Sequence, residues 1–309
     1  MFDVVGVGAN SVDHIYRLSE FPRPDSQAAK LRIAHHAVAC GGQTATALCT
    51  CAAMGLRARY VGTTGNDHNG RLIRDELSRR GVDITHTAVR DAANPYAVIL
   101  LEDVQGERVV LWNRESRLDL ALGEIDAAAV ANARLLHVDD VDVEASIHAA
   151  SIAREAGVPV TSDIERVGDR TDPLIASVTV PIFAEHVLEP LTGERDFERA
   201  LRALRRRHAG MLCVTFGARG AMLLDGDRLY HEPGFQTTVV DTTGAGDVFR
   251  GGFIAALLRG DAPGDILRFA NAAAAISCTR LGAINGVPSL GETESLVSRH
   301  RGERPKTTS

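Results

Sequence analysis

Residues 241–253 combine an acidic side chain with a glycine turn in a way suited to phosphate chemistry. They read Asp-Thr-Thr-Gly-Ala-Gly-Asp-Val-Phe-Arg-Gly-Gly-Phe, after a β-type run at 237–240 and before a long apolar-periodic segment. This order predicts a strand, a turn and the start of a helix. Backbone amides at a helix start carry partial positive charge and bind phosphate oxygens. We therefore expect the amides of Gly244, Ala245 and Gly246 to form an anion hole.

Asp247 lies at the same helix start. A carboxylate there can take the proton from a hydroxyl while the amides stabilise charge on a transferring phosphoryl group. The structural alternative is an acidic residue that only pairs with the helix dipole. The agreement of the whole stretch with one pattern favours the catalytic interpretation. Arg250, one turn later, either reaches a phosphate or substrate anion or has a surface partner, and both readings stay open.

The stretch resembles the C-terminal signature of the ribokinase-like (PfkB) carbohydrate kinases. The resemblance implies a three-layer α/β/α sandwich with a mostly parallel central sheet and a small antiparallel β lid, as one domain over 1–309. It implies ATP-dependent phosphorylation of a primary hydroxyl of a sugar or sugar-like polyol, with Asp247 as general base. ATP and Mg²⁺ are the implied cofactors, and K⁺ is a further one in some relatives.

Composition limits the other classes of function. The chain has 309 residues and a formal net charge of −6, which gives no reason to expect a nucleic-acid or membrane partner. No apolar run is long enough to span a bilayer, and the N-terminus has no basic region followed by an apolar one. The five cysteines are scattered among apolar residues, as expected for buried thiols of a cytoplasmic protein.

Two nucleotide-binding motifs are excluded. Lys30 and Lys306 are the only lysines, so no Gly-Lys pair exists for a Walker-type phosphate loop. Gly6 and Gly8 begin a dinucleotide-type pattern, but Ser11 replaces its third glycine. A nicotinamide-dependent dehydrogenase is disfavoured for that reason.

Helix-like and strand-like segments alternate along most of the chain. The predicted strands are 2–8, 59–63, 135–138, 159–162, 180–183 and 212–215, and the predicted helices include 44–54, 70–80, 143–156, 196–208 and 267–281. Repeated β–α alternation implies a largely parallel sheet with helices on both faces.

Four short strand-like runs depart from this alternation, at 28–35, 85–89, 96–101 and 108–112. The last two are joined around 103–107, which contains Gly106, and all four predict a small antiparallel sheet. The family resemblance makes this sheet, from about 14–36 and 85–113, the lid over the sugar and the contact of a homodimer. The charged tail at 300–309 is predicted to be disordered.

Asp13 follows the first strand and can accept hydrogen bonds from two vicinal hydroxyls, or else caps a loop. Its position matches the sugar-binding aspartate of the resembled family, which implies an acceptor-binding role for Asp13 with Ser11. Asp140 lies between two further aspartates after strand 135–138, at the edge where ligands bind. Acceptor binding and a solvated loop or cap stay open for Asp140. The absence of an arginine in that cluster favours a neutral polyol.

A run of seven residues from Gly41, Gly-Gly-Gln-Thr-Ala-Thr-Ala, is similar to the family's N-terminal signature. Gly41 and Gly42 allow the backbone to approach a ligand closely, and Gln43 and Thr46 can direct polar groups at it. Most members carry asparagine in place of Thr46. The turn resembles the branch that contains sulfofructose kinase, and residues 22–26 share a Pro-x-x-Asp-Ser feature with ketohexokinase.

The nucleotide side is implied by the same resemblance. The loop 214–220 looks like the family's nucleotide loop, although it can equally be a plain hairpin turn towards 221–224. The family places adenine against the helix that contains Asn271, a residue that can instead cap or pack against a loop. The implied nucleotide-binding residues are Thr215, Gly217, Gly220, Thr243, Asn271 and Gly282.

Magnesium is expected because the phosphates of ATP need a divalent counter-charge. The family usually has Asn-x-x-Glu before a Thr-Gly pair, but both signature residues are missing from 184–187. Glu185, acting through water, and Glu189 are the substitutes. Asp241, with Thr243, is the candidate for a monovalent cation.

Two alternatives to a sugar kinase stay open at this stage. One is a kinase for a nucleoside or a phosphosugar. The other is a regulator that binds a nucleotide or a sugar without catalysis.

Overall fold

In a computed structural model of the chain, residues 1–102 and 108–301 are described, without the side chains of Arg108 and Arg301. The predicted turn at 103–107 lies outside the described residues. So does most of the predicted disordered tail, of which residues 300 and 301 end a helix.

The described residues form strands and helices in the following chain order. The strands are β1 (Val4–Val7), β2 (Ser11–Leu18), β3 (His35–Gly41), β4 (Ala58–Val61), β5 (Thr63–Gly65), β6 (Ala88–Arg90), β7 (Tyr96–Glu102), β8 (Arg108–Asn113), β9 (Leu135–Asp139), β10 (Val160–Ile164), β11 (Val180–Ala184), β12 (Leu212–Thr215), β13 (Ala221–Asp225) and β14 (Arg228–Glu232). The helices are α1 (Gln43–Ala53), α2 (His68–Arg79), α3 (Ala127–Ala131), α4 (Val143–Glu155), α5 (Thr171–Ser177), α6 (Glu185–Thr192), α7 (Phe197–Arg205), α8 (Ala245–Arg259), α9 (Pro263–Ser277), α10 (Ala283–Gly286) and α11 (Leu290–Arg301).

The central sheet has eight strands in the order β14-β13-β12-β11-β10-β9-β1-β4. The six strands from β12 to β4 run parallel, while β13 and β14 add an antiparallel edge. The parallel strands read as nearly continuous apolar runs, as in the Val-Val-Gly-Val of β1, because both of their faces are buried. Their carboxyl ends meet at one edge, where ligands bind in such sheets.

Helices cover both faces of this sheet. One core packs α1, α8 and α9 against residues such as Val4 and Leu135. The other packs α3 to α7 against the next residues along the same strands, Val5 and Leu136. This alternation of side chains along each strand produces the predicted three-layer α/β/α sandwich.

The lid is a four-stranded sheet in the order β3-β2-β7-β8. The predicted strands 96–101 and 108–112 are confirmed as an antiparallel pair. Three expectations were wrong. The partner strand is β3 and not 28–35, the lid strand β2 begins at Ser11 and so before the predicted lid segment 14–36, and β2 pairs with β7 in parallel. Polar and apolar residues do not alternate regularly along β2, so its sequence did not indicate a half-buried strand.

The strand predicted at 85–89 does not belong to the lid. Its residues contribute to β6, which pairs with β5 in a separate two-stranded sheet. The β-type run at 237–240 is not a strand either, so an extended loop leads into α8. Val239 and Val240 are exposed there, and the amide of Val240 donates to the carbonyl of Cys278 (2.8 Å). β-branched residues favour a strand only where a partner strand is available.

Within the described residues, every helix is too short or too polar to cross a membrane. All five cysteines lie in the described parts of the chain and are free thiols. Burial raises the pKa of Cys40 and of Cys49 to about 12, so these two are unreactive packing residues.

Candidate active site

The start of α8 is built around Gly244. This residue has φ 75° and precedes the helix in the left-handed conformation, which glycine adopts without strain. A Cβ at Gly244 would lie 2.4 Å from the Cβ of Ala283, so a side chain is excluded as well. The backbone of 244–246 is therefore available at the helix start, although the amide of Ala245 also lies 3.2 Å from the carbonyl of Thr242.

Asp247 lies in the first turn of α8 and is 8 % exposed. Its carboxylate belongs to a group of three with Asp163 and Glu165, whose oxygens all lie within 4.8 Å of one another. Asp163 is in β10, and Glu165 directly follows that strand. The sequence analysis missed both residues because it ended this strand at residue 162. An acidic residue at the carboxyl end of a predicted parallel strand was the signal that could have identified them.

Arg250 is the positive charge of this cluster. It is 1 % exposed, and its Nη2 lies 2.5 Å from Oδ1 of Asp163. The alternative in which Arg250 pairs with a partner at the protein surface is therefore wrong. The contact is an ion pair without a well-aligned hydrogen bond, since Nε and Nη2 of Arg250 and both carboxylate oxygens of Asp163 have no hydrogen-bond partner.

The cluster carries excess negative charge. Burial and the charge of Glu165 raise the pKa of Asp247 well above its ordinary value, and Arg250 acts in the opposite direction. Burial raises the pKa of Asp163 in the same way, again opposed by Arg250. Three carboxylates face one guanidinium, and carboxylate oxygens are the donors that Mg²⁺ prefers. Oδ2 of Asp163, which has no hydrogen-bond partner, makes the cluster a fitting site for a divalent cation.

Asp13 lies on the site-facing side of the lid. It is 6 % exposed and its Oδ1 accepts a hydrogen bond from Ser11 (3.0 Å). Burial, with a contribution from the charge of Asp241, raises the pKa of Asp13 to about 6.

Glycine contacts connect this carboxylate to the start of α8. A Cβ on Gly41 would lie 2.8 Å from Oδ2 of Asp13 and 3.5 Å from the Cβ of Ala283, the residue that also touches Gly244. The fold thus brings the predicted acceptor residue Asp13 and the predicted anion hole to one place.

The first turn of α1 borders the same region. Gly42 precedes the helix with φ 99°, and a Cβ there would lie 2.4 Å from the Cα of Asn10. The Nε2 of Gln43 and the Oγ1 of Thr46 are buried without a hydrogen-bond partner. Gln43 therefore has a donor available for a ligand, whereas Thr46 is itself fully buried.

The three aspartates after β9 all have protein partners. Asp139 is buried and accepts from the amide of Ala9 (2.7 Å) and the hydroxyl of Thr44 (2.7 Å), which connects β1 to α1. Asp140 accepts from the amides of residues 165 and 166 (2.8 and 2.7 Å) and pairs with the side chain of Arg166 (3.0 Å). These contacts match the loop-capping alternative for Asp140, and its acceptor-binding role stays a prediction.

The third aspartate, Asp142, pairs with Arg114 (2.6 Å). This contact fixes the end of lid strand β8 to the carboxyl edge of the central sheet.

A buried polar network shapes the loop between β1 and β2. Asn10 donates to the hydroxyl of Tyr60 (2.8 Å) and to the carbonyl of Thr63 (2.7 Å), and it accepts from Asn94 (3.0 Å). Tyr60 in turn donates to the carbonyl of Gly8 (2.7 Å). These positioning residues were missed, since separations of 50 residues or more leave no local pattern.

A cavity of about 490 Å³ lies beside the start of α8. Its lining includes four residues that were predicted to bind the nucleotide, Thr215, Gly217, Gly220 and Asn271. It also includes two residues of the predicted anion hole, Ala245 and Gly246. The loop 216–220 also joins β12 and β13 as a hairpin, so the two interpretations of this loop are compatible. The Nδ2 of Asn271 donates to the carbonyls of Glu232 and Pro233, which leaves its Oδ1 for a ligand.

Thr243 and Gly282 were also predicted to bind the nucleotide. They lie around Asp241 and do not line this cavity. The carboxylate of Asp241 accepts from the amides of Thr243 (2.9 Å) and Gly282 (2.8 Å). It therefore joins the loop before α8 to the turn before α10. The cation role of Asp241 stays a prediction.

The magnesium candidates from the sequence lie in surface ion pairs. Glu185 pairs with Arg219, and Glu189 pairs with Arg195 (2.8 Å), with about half of each glutamate side chain exposed. Neither belongs to the carboxylate cluster around Asp247. The magnesium-binding role of Glu185 stays a prediction, and Asp163 and Glu165 are alternative candidates for the magnesium ligands.

A family model, a related protein and solved structures all identify the same family for this chain. A family model described as pfkB family carbohydrate kinase matches residues 1–290. The ATP-dependent ribose-1-phosphate kinase of Halopiger xanaduensis is 31 % identical over 284 residues, which cover 92 % of this chain and 94 % of that protein.

Solved structures agree with this match. The ribokinase of Thermotoga maritima superposes with a TM-score of 0.83 at 25 % identity, covering 96 % of this chain and all of that one. The ribokinase of Arabidopsis thaliana, complexed with ribose and ATP, gives a TM-score of 0.80 at 25 % identity, covering 96 % of this chain and 98 % of that one.

The buried pair in the carboxylate cluster yields a stability prediction. Arg250→Met removes the guanidinium paired with Asp163 and leaves a buried charge, so the free energy of unfolding should fall by about 3–5 kcal/mol. The double variant with Asp163→Asn should recover much of the loss. Urea denaturation of the parent protein, the single variant and the double variant measures the free energy of unfolding of each.

A matched control is Arg202→Met, which removes an exposed pair with Glu198 in α7. It should change the unfolding free energy by about 0.5 kcal/mol or less. Equal effects of Arg250→Met and Arg202→Met would contradict the assignment of Arg250 as a buried counter-charge.

Proposed function

Because the chain belongs to the pfkB family of carbohydrate kinases, which are ATP-dependent phosphotransferases, we propose that it phosphorylates a primary hydroxyl of a sugar or sugar-like polyol with Asp247 as general base. The observation that carries the proposal is the position of Asp247. Its carboxylate lies in the first turn of α8, next to Ala245 and Gly246, which line the large cavity.

Asp247 takes the proton of the acceptor hydroxyl as the oxygen attacks the γ-phosphorus, the bond from that phosphorus to the β,γ-bridging oxygen breaks, and ADP leaves with the electron pair. The amides at Gly244, Ala245 and Gly246, with the positive end of the α8 dipole, stabilise the charge on the transferring group. Arg250 holds compensating positive charge one turn below and so favours the ionised, proton-accepting form of Asp247.

ATP occupies the cavity beside α8. The adenine lies against α9, where Ala274 and Ala275 leave room for a flat ring, and Thr215 and Gly217 lie on the opposite wall. Asp163 and Glu165 would hold Mg²⁺, which would neutralise charge on the phosphate oxygens. Oδ2 of Asp163 has no hydrogen-bond partner, which supports this assignment.

The acceptor lies between Asp13 and Asp247 under the lid. Arg250, the arginine beside Asp247, is already paired with Asp163, which favours a neutral polyol over a phosphosugar. The similarity to a ribose-1-phosphate kinase keeps the phosphosugar as the second candidate.

A homodimer through the lid is part of the proposal. The outer face of the lid exposes Val38 on β3 and Val109 and Leu111 on β8. The register places Val109 in one row with Tyr16 and Leu100, and Val38 and Leu111 in the neighbouring row. An apolar face on a sheet with a free edge favours contact with a second copy. Sedimentation velocity measures this association.

Asp247→Asn tests the base directly. The variant keeps the shape of the site but cannot accept the hydroxyl proton, so kcat should fall by roughly 10²- to 10⁴-fold. ATP affinity, measured by calorimetry, should stay within a few-fold of the parent because the cavity is unchanged. Near-normal turnover would overturn the mechanism. Intact ATP binding without transfer by the parent protein to any acceptor would favour a non-catalytic regulator.

The raised pKa of Asp13 predicts a pH dependence. The carboxylate accepts acceptor hydroxyls only when ionised, so kcat/KM for the acceptor should decline as the pH drops through about 6. Asp13→Asn should raise the acceptor KM and remove the contribution of Asp13 to this acid limb. If the limb persists unchanged in the variant, Asp247, whose pKa burial also raises and which must be ionised to act as the base, is responsible.

Glu165→Gln and Glu185→Gln decide between the two magnesium assignments. If Asp163 and Glu165 hold the ion, Glu165→Gln should raise the Mg²⁺ concentration for half-maximal activity roughly tenfold or more. Glu185→Gln, which removes an exposed pair with Arg219, should leave it unchanged. The reverse pattern would support the assignment made from the sequence.

A further inference from the structure

All four strands of the lid join the rest of the chain at the same end. The parallel strands β2 and β7 both begin there, with Val12 opposite Tyr96. The strands β3 and β8 both end there, at Gly41 and Asn113. Asp13 is the third residue of β2 and so lies close to this end. The contacts that fix this end of the lid therefore also determine where the carboxylate of Asp13 lies.

A buried pair of asparagines joins the starts of β2 and β7. Asn10 directly precedes β2, and Asn94 lies two residues before β7. Nδ2 of Asn94 donates to Oδ1 of Asn10 (3.0 Å) and to the carbonyl of Pro95 (3.1 Å). The same carbonyl accepts a hydrogen bond from the amide of Val12 (3.1 Å). Side-chain and backbone hydrogen bonds thus hold the two strands together where they begin.

Backbone groups of β5 determine the orientation of both side-chain amides. Nδ2 of Asn10 donates to the carbonyl of Thr63 (2.7 Å), which can only accept. Oδ1 of Asn94 accepts from the amide of Gly65 (3.0 Å), which can only donate. Asn10 is thereby left with Oδ1, and Asn94 with Nδ2, for the contact between them, so that a donor faces an acceptor. Because β5 follows β4 of the central sheet after one residue, the asparagine pair connects the lid to that sheet.

Tyr60 extends this connection to β1. It lies on β4 and is fully buried. Its hydroxyl accepts from Nδ2 of Asn10 (2.8 Å) and donates to the carbonyl of Gly8 (2.7 Å), the residue after β1. We call the side chains of Asn10, Tyr60 and Asn94 the Asn10 network. All of their N–H and O–H groups have partners, so a shift of any one of them would leave a buried polar group unpaired.

The backbone around the Asn10 network is closely packed. A Cβ on Gly42 would lie 2.4 Å from the Cα of Asn10, and a Cβ on Gly65 would lie 2.5 Å from the amide nitrogen of Asn94. The amide of Ala45 in α1 donates to the carbonyl of Ala9 (3.1 Å). The loop that leads into β2 is therefore held by α1 on one side and by the network on the other.

We propose that the Asn10 network consists of positioning residues that set the affinity for the acceptor by holding Asp13 in place. The inference rests on the proposed kinase function and identifies three buried residues on which acceptor binding depends. Hydrogen bonds to a carboxylate weaken with small changes in distance and angle, so a displaced Asp13 binds the acceptor hydroxyls less well. None of the three residues lines the nucleotide cavity, so the binding of ATP does not depend on them.

Tyr60→Phe is the milder test of this role, because it keeps the ring and removes only the hydroxyl. It should raise the acceptor KM roughly three- to tenfold, with kcat and the KM for ATP within about twofold of the parent. Asn94→Leu removes three hydrogen bonds and should raise the acceptor KM roughly tenfold or more. The measurement is ADP release with an acceptor, such as D-ribose or D-fructose, that the parent protein phosphorylates. An unchanged acceptor KM in Tyr60→Phe would overturn the proposal, even where Asn94→Leu does not fold.

Asn66→Leu is the matched control for the loss of an asparagine contact. Asn66 directly follows β5, and its Nδ2 donates to the exposed Asp91 (3.0 Å). This contact joins nearby segments of the chain without touching β2. The control should leave the acceptor KM unchanged. An equal rise in the acceptor KM in Asn66→Leu and Asn94→Leu would overturn the specific role of the network.

A second background separates positioning from a general loss of stability. If the network acts through Asp13, Tyr60→Phe should change the acceptor kcat/KM by less than about twofold when it is added to Asp13→Asn. A structural role alone would give the same fold-loss in both backgrounds, and that result would overturn the proposal.

Hydrogen exchange tests the network without any substrate. In Tyr60→Phe the amides at the start of β2, including that of Val12, should exchange faster than in the parent, while those of α8 should not change. Unchanged exchange at the start of β2 would overturn the role of the network and leave the kinase assignment intact. Failure of the parent protein to transfer a phosphoryl group to every acceptor would overturn the proposed function itself.

Discussion

The candidate active site depends on the balance between buried carboxyl groups and one buried guanidinium. One oxygen each of Asp163, Glu165 and Asp247 lies within 4.8 Å of the others, and burial raises the pKa of Asp163 and of Asp247 well above the ordinary value. Arg250 opposes this shift in both groups, and its positive charge is permanent because it cannot lose its proton.

This constraint explains why the helix start is built without side chains. Gly244 must turn the chain in the left-handed region while its Cα touches Ala283, and Ala283 also borders Gly41 beside Asp13. The same close packing brings the lid carboxylate near the helix dipole. The proposed anion hole, acceptor site and nucleotide site are therefore different surfaces of one packed junction between the lid, α8 and α10.

Local patterns predicted the parts of this arrangement that are continuous in sequence. The stretch 241–253 identified the helix start and Asp247, and alternation along the chain identified the parallel sheet and its helices. Asp163, Glu165 and the network around Asn10 come together only when strands far apart in sequence align. No single segment carries that information. The run 237–240 had the composition of a strand but no partner strand, so composition alone was misleading there.

The lid is a second example of structure that local sequence patterns do not predict. Polar residues at alternate positions of β2 look irregular until the register with β7 and β8 shows that Asp13 and Trp112 share a face. Asp13, buried on the site-facing side of the lid, favours an acceptor whose hydroxyls can donate to its carboxylate. Asp247, reached from the other side of the acceptor, needs only a hydroxyl. Selectivity for the acceptor and the chemistry on it are thus carried by different elements, which allows the lid to change its preference without disturbing the charge balance around Arg250.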